Sequence, residues 1–177
     1  MKNFLKFIFL FFLLSCGDSG SWSPKLPMIF RPNESFPPAK YSQITKAMKI
    51  WNKALNFEVF EFSPEIISKG INPRDDDFII AWGEMESLYL GKTYWMSYDI
   101  EINEDISVDP NQEVMIEEPL LTVLIHEFGH CMGLEHSPHL EDVMYFKFIG
   151  SKKPTLNDIS RANEALGLPK SGGASGL

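Results

Sequence analysis

Residues 126–136 read His-Glu-Phe-Gly-His-Cys-Met-Gly-Leu-Glu-His, and no other segment constrains this chain as tightly. His126 and His130 are four apart, so on a helix they share one face, one turn apart, where two imidazoles can grip one metal ion. Glu127 lies beside them, within reach of a water held at that ion. Gly133 lets the chain turn sharply after the second His, because glycine takes positive φ at little cost. That turn can swing His136 back to the same ion. Three neutral imidazoles and one open position make a catalytic zinc site, not a closed structural one. Five fixed residues of this kind, three of them the rare His, would coincide by accident in well under roughly one in 10,000 chains of ordinary usage. The expected cofactor is therefore one Zn²⁺ held by His126, His130 and His136.

The chain has 177 residues and a formal net charge of −8. Lys2 and Lys6 precede an unbroken apolar run, Phe7–Leu14, which is too short to span a bilayer and suits a signal-peptide core. Leu13-Leu14-Ser15-Cys16 resembles a bacterial lipobox, in which Cys16 is lipidated and becomes the first residue. The other reading is an ordinary signal cleaved nearby, with Cys16 incidental. Gly17–Pro24 is small and polar, a tether between anchor and domain. The expected division is residues 1–15 as signal peptide, 16–25 as lipid-anchored linker, 26–168 as one folded domain and 169–177 as a disordered tail. Removing 15 of 177 residues leaves 162, enough for one sizeable core. The removed segment holds two Lys and no acid, so the charge falls from −8 to −10. No basic stretch exceeds Lys152-Lys153, and no nucleic-acid partner is expected. With Cys16 lipidated, Cys131 stands alone and reads as a small buried core residue, or else as a redox-sensitive thiol.

Ile44, Ala47, Met48, Trp51, Ala54 and Leu55 fall at helical spacing and predict a first helix over 39–57. Phe57–Phe62 reads as a half-buried strand with its Glu residues outward. Residues 63–76, with Pro64, Gly70 and Pro73, form a loop. Phe78–Trp82 reads as a short buried strand. Glu117-Glu118-Pro119 opens the helix that carries the His string, Pro at the first helical position and acids at the positive end of the dipole. Leu120, Leu121, Val123, Leu124, Ile125 and Phe128 cover nearly every face of that helix, so it is buried, and burial fixes His126, Glu127 and His130 rigidly. Thr155–Leu166 reads as a last helix, opened by Thr155 or Asn157 and closed by Gly167.

Around the zinc string the sequence resembles the metzincins, and among them the matrixins. Ser137 follows the third His as in matrixins, where astacins usually carry Glu and reprolysin-type enzymes Asp. Met144, in Asp142-Val143-Met144-Tyr145, looks like the Met-turn that underlies the zinc in this clan. Leu26–Arg31 looks like the opening strand of a matrixin catalytic domain, Trp51–Phe57 like the end of its first long helix, Asp77–Trp82 like its central strand and Ile100–Asn103 like its last. The resemblance covers roughly residues 26–168 and implies an α+β metzincin fold: a small mixed β-sheet with a long helix and the active-site helix packed on it, then a short C-terminal subdomain with the Met-turn. It implies that Gly91–Tyr98 is the edge strand, whose backbone groups can add an extended substrate. Tyr94, Trp95 and Met96 would then line subsites, or simply pack on the sheet. The acidic run Asp75-Asp76-Asp77 can bind Ca²⁺, as matrixins often do elsewhere in the fold, or stand as a solvated turn.

The pattern also departs from the family. The four His are 126, 130, 136 and 139, so the upstream His needed for the matrixin structural zinc are lacking and that second zinc is not carried over. His139 stands where matrixins often have Asp and reads as a loop residue without a metal role. Phe146 follows Met144-Tyr145 where matrixins often have Pro, and it fills the place of the zinc-facing Tyr of astacins. No prodomain or inhibitory Cys segment is read, so activity without proteolytic activation is expected. The implied function is a lipid-anchored zinc endopeptidase acting on extended protein or peptide substrates. Glu127 would be the general base, Met144 an apolar floor and Tyr145 a wall of the substrate pocket. The chain is expected to be a monomer and a bacterial membrane lipoprotein facing the periplasm or the cell surface. The alternatives are a zinc-containing binding lipoprotein that has lost catalysis, of which loss of the Glu would be the cheapest sign, and a maturation factor for one partner.

Overall fold

The computed structural model of the chain describes residues 25–67, 77–86, 89–94, 97, 99–105, 118–147, 150–151 and 153–169. The expected signal peptide, Cys16, Asp75, Asp76, Trp95, Met96, Glu117 and the tail from Ser171 lie outside these residues.

A five-stranded sheet runs in the order β2-β1-β3-β5-β4, built from β1 (Met28–Pro32), β2 (Phe60–Phe62), β3 (Asp77–Gly83), β4 (Gly91–Thr93) and β5 (Ile100–Asn103). β2, β1, β3 and β5 are parallel neighbours, and β4 closes one edge antiparallel to β5. Among the described residues three α-helices accompany the sheet, α1 (Tyr41–Leu55), α2 (Pro119–Cys131) and α3 (Leu156–Ala165), with a short 3-10 turn at Pro38–Lys40 before α1. This is the α+β architecture expected from the sequence: a mixed sheet, a long first helix and a buried motif helix.

α1 buries Ile44, Ala47, Met48, Trp51 and Leu55, the stripe that its periodicity indicated. Its end is set locally. Asn56 takes the left-handed conformation at φ 51°, and the Asn52 side chain accepts from Val59 N–H and Phe60 N–H while donating to the Phe60 carbonyl. That clasp spends residues 57–59 on a turn. The strand therefore begins at Phe60, not Phe57, and Phe57 is 46% exposed. Val59 and Phe60 are both buried, so the alternation read from the sequence breaks where the chain leaves the helix.

α2 buries ten of its thirteen residues, which fits an apolar surface on nearly every face. Pro119 opens it at the first helical position, as expected. Glu118 sits at φ 55° without a capping side-chain bond, and its carboxylate instead takes a hydrogen bond from Lys46 Nζ at 2.7 Å. Two contacts lock the helix in place. Trp51 Nε1 donates to the Ile125 carbonyl at 2.8 Å, tying α1 to α2. Phe128 packs between Phe30 of β1 and Phe60 of β2, with ring centroids 5.1 and 4.9 Å away. Substituting Ala for a phenylalanine buried this way costs about 3–5 kcal/mol, so these rings hold the helix that carries the His string.

Candidate metal centre

α2 ends in a turn that follows from its own sequence. Gly133 sits at φ 86°, its N–H donates to the His130 carbonyl at 2.9 Å, and Leu134 N–H donates to the Gly129 carbonyl at 3.1 Å. These are the paired bonds of a Schellman closure, with glycine where φ must be positive. The turn reverses the chain so that His136 returns beside the helix. His126, His130 and His136 then present ligand atoms that all lie within 4.8 Å of one another, and their ring centroids are 4.8–5.3 Å apart. Among the described residues this is the group able to hold a metal ion. His139 is not in it; its backbone N–H donates to Ser137 Oγ at 3.2 Å and its side chain is exposed.

Neighbouring backbone sets the chemistry of two of the rings. His126 Nδ1 lies 2.7 Å from the Val143 carbonyl, and His130 Nδ1 lies 2.7 Å from the Leu134 carbonyl. A carbonyl only accepts, so each Nδ1 carries the proton and each Nε2 keeps its lone pair. Burial lowers the His126 pKa to about 4 and the His130 pKa to about 3, and it lowers that of His136 as well. All three rings are neutral at pH 7, the form in which imidazole binds a metal. The donor set of three neutral imidazoles fits a zinc ion with one position left open.

Glu127 is 5% exposed and faces the edge strand. Thr93 Oγ1 donates to its Oε2 at 2.7 Å. Burial pushes the Glu127 carboxyl up to about 7, against the Thr93 bonds, which lower it. A carboxyl poised there can both take and release a proton near neutral pH.

Met144 lies beneath α2 and is fully buried. A Cβ added at Gly129 would lie 2.2 Å from its sulfur, so the glycine inside the His string makes room for the methionine. The Met144 carbonyl accepts from Ser137 N–H at 2.6 Å, and the preceding residue supplies the carbonyl that orients His126. Two acids brace this loop. Asp142 is buried and accepts from Ser137 Oγ, Thr155 Oγ1 and Asn157 Nδ2. Asp158, in the first turn of α3, accepts from the N–H groups of Val143 and Thr155 at 3.0 and 2.9 Å. Thr155 caps α3 in a reciprocal box with Asp158, as one of its two expected openers.

The other candidates divide. Tyr145 is half-buried, with its ring 4.5 Å from that of exposed Phe146. The expected edge strand is shorter than Gly91–Tyr98. Among the described residues it pairs with β5 over Gly91–Thr93, and Tyr94 N–H donates to the Asp99 carbonyl. Tyr94 points to the opposite side from Thr93, where its hydroxyl donates to Glu101 at 2.6 Å and Lys92 lies over its ring. Tyr94 lies on that face of the sheet and is 40% exposed. Cys131 is buried, as a core residue would be. Asp77 opens β3 and accepts from Arg31 Nε at 2.9 Å, so among the described residues nothing supports a calcium site. Thr93, Gly91, Gly129, Asp142 and Asp158 were not legible as site residues. Each acts through a partner fifteen or more positions away or, for Asp142, through Ser137 and α3, and no local pattern announces such pairings.

A helix-borne pair of histidines, a third returned by a glycine turn, a glutamate beside them and a methionine loop beneath define a metallopeptidase-type centre on a mixed sheet. The profile of the matrixin peptidase family matches residues 29–164. The chain belongs to the matrixins, a zinc-dependent metallopeptidase family, and its fold is that of their catalytic domain.

Proposed function

We propose that this matrixin is a lipid-anchored zinc endopeptidase. The observation that carries the proposal is the convergence of three neutral imidazoles beside a buried carboxylate whose proton affinity lies near neutrality. In this reading His126, His130 and His136 hold Zn²⁺, which when bound polarises the scissile carbonyl and lowers the pKa of water. Glu127 is the general base: it takes the proton of the attacking water and delivers it to the departing amine. β4, as the sheet's edge, offers backbone groups to an extended substrate. Met144 is an apolar floor, and Tyr145 with the following loop walls the substrate pocket. Residues 1–15 are a signal peptide and Cys16 carries the lipid. Residues 16–25 tether a domain spanning 26–168 to a bacterial membrane, on its periplasmic side or at the cell surface. Among the described residues no helix is long and apolar enough to cross a membrane.

The test is digestion of fluorescein-labelled unfolded casein by the purified, zinc-loaded protein, with fragments read by mass spectrometry. Internal cleavage that stops on chelation is expected. Release of single terminal residues would replace the endopeptidase reading with an exopeptidase one. A zinc-loaded protein that leaves casein and a broad peptide library intact would favour a binding or single-partner maturation role.

A further inference from the structure

One face of the edge strand is shaped around Glu127. Gly91 and Thr93 are two apart on β4, so they point to the same side. Their partners on β5, Ile102 and Ile100, are core residues, which places that side toward α2. Thr93 is 7% exposed, and its hydroxyl has a single proton to give. The carboxylate oxygen Oε2 lies at 2.7 Å and the Glu127 backbone carbonyl at 3.2 Å, so the carboxylate receives it. Gly91 acts by absence. A Cβ there would meet Val123 Cγ1 at 2.6 Å and both Cγ and Oε1 of Glu127 at 3.1 Å. The strand therefore holds one carboxylate oxygen by a hydrogen bond and backs the rest of the side chain with a bare Cα. Cys131, one turn after Glu127 on α2, also faces the Thr93 hydroxyl, so the threonine sits against both residues of that helix face.

We infer that the Gly91-Lys92-Thr93 segment is a clamp in which Thr93 is the positioning residue for the Glu127 carboxylate. The inference rests on the reading of Glu127 as general base. A glutamate side chain has three rotatable bonds, and left unheld it samples several rotamers. Thr93 fixes its torsion by engaging Oε2, which leaves accepting capacity on the carboxylate for the proton of the attacking water. The clamp needs hydroxyl and space together: a longer side chain at Gly91 would displace the carboxylate that Thr93 holds.

The test compares full-length wild type, Thr93→Val, Thr93→Ser and Glu127→Ala, all zinc-loaded, on labelled unfolded casein. Thr93→Val keeps the shape and removes the hydroxyl; it should lower kcat by about 10- to 100-fold, the scale of a misplaced catalytic group, with KM within about twofold. Thr93→Ser restores the hydroxyl and should recover kcat to within about threefold of wild type. Zinc content should stay at that of wild type in every variant. Crystals of Thr93→Val should show the Glu127 carboxylate turned from its wild-type position, and those of Thr93→Ser should show it returned. Unchanged kcat in Thr93→Val, or equal loss of kcat in the Val and Ser variants, would overturn the clamp. Wild type as inactive as Glu127→Ala would instead overturn the peptidase reading, and the crystallographic comparison would still decide whether Thr93 places the carboxylate.

Discussion

At Gly129 a single added methyl group would meet the sulfur of Met144 at 2.2 Å. Two effects compete on Gly129→Ala. Helix propensity favours Ala over Gly by about 1 kcal/mol, whereas overpacking a sealed core costs about 1–3 kcal/mol. Met144 is fully buried and cannot swing into solvent, so the packing cost should win and the variant should melt at a lower temperature than wild type. In a Met144→Ala background the same change should stabilise, because the methyl group fills space the sulfur has left. Equal effects in both backgrounds, measured by thermal unfolding, would show that the two residues do not compete for that volume. Glu127 makes a different kind of prediction. Glu127→Ala should cut hydrolysis by at least about 10²-fold, the lower end for loss of a general base, while zinc remains bound. Zinc loss on metal analysis would mean that Glu127 is a ligand.

The loop from Ser137 to Tyr145 is the element whose stability depends most on charge. Its backbone is joined by the bridge between Ser137 and Tyr145, and Asp142 and Asp158 brace the rest. Burial works against the Asp142 charge, but donation from Ser137, Thr155 and Asn157 outweighs it and holds the carboxyl below its ordinary 3.8. A carboxylate with a depressed folded pKa contributes stability that is present above the unfolded pKa and is lost as pH falls through the folded one. Asp142→Asn puts an NH₂ where the carboxylate accepted from three donors, and should cost about 2 kcal/mol at pH 7. That deficit should shrink as pH drops below 3.8, because wild type then loses the same charge. Melting curves from pH 7 down to about pH 3 would check this; a deficit independent of pH would assign the cost to packing alone.

For the whole molecule, zinc should act as part of the fold, because its three candidate ligands come from α2 and from the turn beyond it, and the carbonyl orienting His126 comes from the Met144 loop. One zinc per chain should survive dialysis, and a chelator should lower the melting temperature, with about 4 kcal/mol at stake when free zinc exceeds its Kd a thousandfold. Two zinc ions per chain would bring His139 back as a ligand. On the proposal that Cys16 carries the lipid, Cys16→Ser should shift the protein from the membrane to the soluble fraction, because it removes the acylated residue. The three histidines, the buried helix and the reversing glycine were legible in the sequence because they rest on helical periodicity and one φ angle within residues 119–136. The helices and the segments of β2 and β3 were legible from the same short-range patterns, while those of β1 and β5 were expected only from the resemblance to matrixins. The start of β2 was not, because the Asn52 clasp, which no spacing rule encodes, delays it. Only the tertiary structure decided the state of the site: which nitrogen His126 protonates, where the Glu127 carboxylate rests and what fills the space beneath Gly129. Those properties depend on groups brought from 15 to 34 residues away, and such a contact exists only once the core has closed around it.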